Sequence, residues 1–124
     1  MYMEFDKITI EKTKELLNKN KYGITLKLNG NIDHKKRGYY VSVTNNTFKE
    51  LTIKDIYSVM LKAFLYEKHN NIKAFIGGWF SSKTKNWYID ISLYFDNKQE
   101  ALKVARAKKQ EAIFNIKKLE TVFI

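Results

Sequence analysis

Between Trp87 and Phe95 the chain alternates without a break. Trp87, Ile89, Ile91, Leu93 and Phe95 fall on one side, and Tyr88, Asp90, Ser92 and Tyr94 on the other. A period of two over nine residues is what a strand with one buried face requires, and it fits no helix. The run Ile72 to Phe80 precedes it across a polar turn at Lys83 to Asn86, so the two read as a hairpin. Gly77 and Gly78 within that run bend the strand or let a backbone or a ligand approach closely. Asp96 ends the alternation and is the expected N-cap of a helix from Asn97 to Lys109, with Gln99 at N3. Ala112 to Ile116 then returns as a strand, and Thr121 to Ile124 as a last one.

Upstream, Thr9 is the expected N-cap of a first helix carrying Ile10, Leu16 and Leu17 and ending at Gly23. Ile24, Leu26 and Leu28 alternate with Thr25 and Lys27, and Tyr39, Val41 and Val43 alternate with Tyr40, Ser42 and Thr44. Asn29 to Lys36 is the loop between these runs, which predicts a second hairpin, closed at an Asn45, Asn46 turn. Thr52 caps the longest helix, with Asp55 at N3 and Ile53, Ile56, Met60, Ala63 and Phe64 along one face; Tyr57, Leu61 and Leu65 widen it. Phe123 and Ile124 at the end of the chain are expected to be docked in the core or in an interface. The predicted fold is α+β: an antiparallel sheet of two hairpins plus a C-terminal strand, packed on one side by about three helices. Residues 1–124 form a single domain, with no repeat, linker or shift of composition.

At 124 residues and 44% hydrophobic content the chain can bury a core of its own. It has no cysteine, which removes disulfides, thiolate catalysis and thiolate metal sites and suits a reducing cytoplasm. The segment from Met1 to Ile10 is too polar for a signal peptide, and no run is apolar enough to span a bilayer. A nucleophilic triad would have to recruit His34, from a lysine-rich loop, or His69, from a helix end, and no spacing ties either to a nucleophile. There is no HxxxH, no DxD and no spaced-glycine phosphate loop. These absences point away from an enzyme and from a resident metal or cofactor. An enzyme would need a carboxylate mechanism, and only Asp90 is placed for one.

The formal charge of +10 predicts attraction to anions, although its lysines are scattered rather than gathered in a block. Arg37 and Arg106 are the only arginines. A guanidinium fork grips a phosphate with two parallel hydrogen bonds, which an ammonium cannot do, so these two stand out even though a plain surface role stays open for both. The binding constellation is therefore Trp79 and Phe80 for ring faces, Asp90, Ser92 and Tyr94 for polar contacts, and Arg106, Lys109 and Arg37 for phosphate charge. Such a set suits a small phosphorylated, base-containing ligand better than a long nucleic acid, which needs a contiguous basic stripe.

The run from Gly77 to Ile116 resembles the C-terminal signature of a family of small phage proteins, the anti-defence sponges that counter bacterial Thoeris immunity. Trp79, the Tyr88, Asp90, Ser92 strand, Ala101 to Arg106 and Gln110 to Phe114 carry the likeness, which covers about the last third of the chain. The resemblance implies a non-enzymatic protein in the cytoplasm of an infected bacterium. It would sequester a cyclic ADP-ribose isomer made by a TIR-domain enzyme, at sites between subunits of a homo-oligomer. It also implies that cyclic oligonucleotides are held elsewhere by some members, and that Arg106 contacts the ligand. The alternative is a basic protein that binds nucleic acid, or that inhibits a nucleic-acid-binding partner.

Overall fold

The computed structural model describes residues 5–124; the start of the Met1 to Ile10 segment lies outside the described residues. Helix α1 spans Lys7–Lys19, β1 Ile24–Leu26, β2 Tyr39–Ser42, β3 Asn46–Phe48 and α2 Ile53–Asn70. They are followed by β4 Ala74–Ser81, β5 Asn86–Phe95, α3 Lys98–Ala107, β6 Ala112–Asn115 and β7 Glu120–Phe123. The α+β class and the antiparallel sheet with three helices are as the patterning predicts.

Two of the three expected helix caps shift. Asp6, not Thr9, caps α1, its carboxylate accepting from the Thr9 backbone N–H at 2.7 Å, and these bonds hold the carboxyl below its ordinary range. The helix stops at Asn20 rather than at Gly23. Thr52 caps α2 as expected, with its hydroxyl accepting from Asp55 N–H at 3.0 Å. On α3 the cap is Asn97, whose side-chain oxygen accepts from Gln99 and Glu100 N–H at 2.8 and 3.1 Å. Asp96 is drawn off instead, because the Tyr94 hydroxyl donates to it at 2.6 Å.

The sheet corrects the predicted topology. The β4–β5 hairpin forms in the expected place, but β1 and β2 do not pair with each other: β1 pairs with β4, and β2 with β5 and β6, giving the order β1-β4-β5-β2-β6-β7. Alternation fixes which face of a strand is buried and says nothing of its neighbour, so the polar run after Leu26 reads as a hairpin loop when it is a crossover. Nor do Asn45 and Asn46 end the strand. Asn46 opens β3, which also pairs with β5, so the long β5 has β4 along one edge and β3, then β2, along the other.

All three helices lie on one face. Leu17 of α1, Ile56, Val59, Met60 and Ala63 of α2, Leu26, Ala74 and Ile76, and Trp87, Ile89, Ile91 and Leu93 of β5 form the main core. Ala101 and Ala105 of α3 close on Val41 and Ile113 beside it. Burial of each full-sized aliphatic side chain here contributes about 1.5–3 kcal/mol. The expected docking of the chain's end into this core does not occur: Phe123 is 76% exposed, on the edge strand β7.

Candidate functional site

Among the described residues no helix lies on the opposite face of the sheet. Strand parity assigns to it Phe75, Gly77 and Trp79 from β4, Tyr88, Asp90, Ser92 and Tyr94 from β5, Tyr40 and Ser42 from β2, and Phe114 from β6. Tyr22 to Thr25, at one flank, and Ala112 to Phe114 with Leu119 and Thr121, at the other, line the same cavity of about 790 Å³. The face is thus concave, and its floor is Gly77, Asp90, Ser92 and Ser42.

The crossover from β1 to β2 has to pass β4 and β5, and it does so over this face. It brings Asp33 and Lys35 to the cavity lining. The Lys35 ammonium lies 5.1 Å from the centroid of Phe75 and 4.9 Å from that of Tyr94, and 3.1 Å from the Asp33 carboxylate. Asp33 also accepts from the Tyr40 hydroxyl. Burial, and this carboxylate beside it, push the Tyr40 phenol far above its ordinary range, so it remains a neutral donor. One ammonium hydrogen of Lys35 is engaged by Asp33, and a lysine has three to give.

Asp90 sits where the second neighbour of β5 changes from β3 to β2. Thr44 interrupts the ladder by accepting from Ile91 N–H through its hydroxyl at 3.0 Å, while Val43 N–H donates to Ile91 O at 2.8 Å. The freed Asn46 N–H donates to one oxygen of Asp90 at 3.4 Å, and the Ser42 hydroxyl to the other at 3.5 Å. Both bonds are long, so they only partly offset desolvation, and burial pushes the Asp90 carboxyl up to about 6. Across the ladder Asp90 faces Gly77, where no side chain covers it.

Gly77 and Gly78 have opposite reasons to be glycine. A Cβ on Gly78 would stand 2.5 Å from Leu17 Cδ2 and 2.9 Å from Ile89 Cδ1, inside the helix-covered core. One on Gly77 would project into the cavity and meet only Ser92 Oγ, at 3.0 Å.

The residues proposed from sequence separate into groups. Trp79, Asp90 and Ser92 line the cavity, and Trp79 is 44% exposed, one ring face stacked on Tyr88 at 4.8 Å and 16°. Tyr94 is on the same face, at its Lys35 end, its hydroxyl donating to Asp96 at 2.6 Å with Arg37 O 2.9 Å away. Phe80 is not on this face: it packs on Trp87 at 5.2 Å on the helix side. Arg37 lines a separate cleft of about 510 Å³ with Lys98, Lys117, Lys118 and Glu120. Arg106 and Lys109 are exposed, at the end of α3 and just past it, and the structure does not bring them to the cavity within one chain.

Asp33, Lys35, Tyr40 and Ser42 also line the cavity and stand outside the constellation assembled from the sequence. Tyr40 and Ser42 could have been placed by the parity of their strand; Asp33 and Lys35 depend on the crossover and leave no local signal. Among the described residues no three of His, Asp and Glu cluster as metal ligands, and no helix is long and apolar enough to cross a membrane. No protein-family model matches the chain, and no significant match exists among curated proteins or solved structures.

Proposed function

We propose that the protein is a non-enzymatic sponge, working in the cytoplasm of an infected bacterium, that holds a cyclic ADP-ribose-type nucleotide in its concave sheet face and thereby blocks TIR-based Thoeris immunity. One observation carries the reading: along the open face the chemistry runs in the order of a nucleotide. Trp79 offers a free ring surface for a base, Asp90 one step on offers an acceptor for sugar hydroxyls, Ser92 follows, and Lys35 stands over Phe75 at the far end to meet a phosphate. The likeness of the Gly77 to Ile116 run to the sponge family supports the same ligand class. Nothing in this arrangement requires the ligand to be cleaved.

The cavity holds one ammonium against two carboxylates, so the charge for a pyrophosphate has to be completed from outside it. In the oligomer that the resemblance implies, a second copy would supply Arg106 from the end of α3 and Lys109 from just past it. Arg106→Ala then lowers affinity by about 1.5–3 kcal/mol, the range for hydrogen bonds to charged groups. Unchanged affinity removes Arg106 from the site. The mechanism itself is tested by incubating the protein with cyclic ADP-ribose, separating the complex, and releasing the ligand by heat. Intact ligand is expected, and a linear, hydrolysed product refutes the sponge.

The charge of +10 favours a second reading, a nucleic-acid-binding protein or an inhibitor of one. Tight binding to arbitrary oligonucleotides, weakening steeply with salt, would favour that reading over a small-ligand site.

A further inference from the structure

We propose that Asp90 is the sugar reader of this face, a specificity-determining carboxylate that accepts hydrogen bonds from two adjacent ribose hydroxyls and so selects ribonucleotides over their 2′-deoxy counterparts. The inference rests on the reading that the open face takes a nucleotide, and goes beyond it in naming the feature recognised and the group that recognises it.

Three observations carry it. Asp90 is an under-used acceptor: a carboxylate has about four lone-pair positions, and this one has two contacts, at 3.4 and 3.5 Å. Each comes from the β2 and β3 side, while the β4 side is kept bare by Gly77, so a ligand reaches the carboxylate without displacing a side chain. The spacing also matches. Gly77 and Trp79 are two residues apart on one face of β4, about 6.6 Å along the strand, which is comparable to the span from a stacked base to its own ribose hydroxyls. A carboxylate at that position meets the diol edge-on, and a buried acceptor left without its donor penalises a ligand that lacks one hydroxyl.

The alternative acceptors are less well placed. Ser92 and Ser42 are neutral, Ser92 being buried and Ser42 already donating to Asp90, and Asp33 is committed to Tyr40 and Lys35. Ser42 from β2, the Asn46 backbone from β3 and Gly77 from β4 are the groups packed directly on Asp90, and none of them titrates. The ionisable groups around it are Asp33, Lys35 and Tyr40 on the lining and Tyr88 and Tyr94 on its own strand. Burial raises the Asp90 carboxyl to about 6.

The test uses the full chain with adenosine 5′-diphosphate and 2′-deoxyadenosine 5′-diphosphate as probes, titrated by calorimetry at pH 7.5 and pH 5. The wild type is expected to prefer the ribonucleotide by about tenfold or more at pH 7.5, and to lose most of that preference at pH 5, where the carboxylate is protonated. Asp90→Asn brings the ratio near one at both pH values, whereas Trp79→Ala weakens both probes and leaves the ratio standing. Binding of both probes with equal affinity at pH 7.5 overturns the inference while the nucleotide reading survives. A preference unchanged at pH 5, or kept by Asp90→Asn, does the same. Failure of both probes to bind overturns the inference, and the nucleotide reading falls with it if cyclic ADP-ribose does not bind either. The pH arm needs no variant, so the outcome does not hang on whether Asp90→Asn folds.

Discussion

The two faces of the central hairpin follow different rules although they are built from the same strands. On the helix side Trp87, Ile89, Ile91 and Leu93 are buried in one core with Leu17 and Met60. On the other side Asp90 and Ser92 line an open cavity, with a carboxylate, hydroxyls, an ammonium and ring faces set into it. A sheet needs only one face to make a core, which leaves the second free to carry chemistry that would be costly to bury. Substitutions on the first face should therefore change stability and leave binding alone, and those on the second should do the reverse.

The largest effect is expected from Leu17→Ala. Leu17 is fully buried between α1 and the sheet, so its loss should cost about 2–5 kcal/mol of unfolding free energy in urea titration, through lost transfer energy and the cavity left behind. Affinity of the molecules that remain folded should not move. The adjacent glycines sharpen the contrast. Gly78→Ala forces a methyl against Leu17 and Ile89 and should cost about 1–3 kcal/mol, while Gly77→Ala should stay within about 1 kcal/mol, since only the Ser92 hydroxyl must turn away. Equal destabilisation by the two would mean that the open face is packed after all.

Trp79→Ala is the counterpart on the open side. Its ring is about half exposed and touches Tyr88 on one face only, so thermal stability should shift little. Binding of an adenine nucleotide should weaken by about 1–3 kcal/mol, the range for losing a stacking platform. A change in stability larger than the change in binding would reverse the assignment of this face.

How much of this was legible in the sequence follows from which signals are local. The alternation from Trp87 to Phe95 placed Asp90, Ser92 and Tyr94 on the face away from the core, where the structure has them. Aromatic character alone puts Phe80 beside Trp79, but parity separates them: the two are adjacent in β4, and neighbours in a strand face opposite ways. The β1–β2 connection is not legible, since turn-rich loops and crossovers share a composition, and the places of Lys35 and Asp33 depend on it. The place of Lys35 over Phe75, with Asp33 beside it, exists only because the chain crosses β4 and β5. Arg106 stood out by rarity, a signal without geometry, and one chain leaves it outside the cavity.

The smallest effect divides the faces by proton linkage. Asp90 is pushed up to about 6 by burial, against about 3.9 in an unfolded chain, so the native state takes up this proton first. The charged form is thus the less stable one. Its penalty is present in full above about pH 6, shrinks as pH falls from there, and is gone below about pH 4, where the carboxyl is protonated in both states. Asp90→Asn should accordingly be more stable than the wild type at pH 7 by about 1 kcal/mol, less than the whole shift because the cavity side is hydrated, and equal to it at pH 4. Asp6 has the opposite sign: its carboxyl is held low by the bonds that cap α1, and its contribution fades as acid is added. Matched urea titrations of wild type and Asp90→Asn from pH 4 to pH 7 isolate the difference, since every other carboxyl cancels. If Asp90→Asn were instead less stable than the wild type at pH 7, with the deficit closing toward pH 4, Asp90 would be a satisfied structural carboxylate, and the open face would lose the charged acceptor that Gly77 leaves bare.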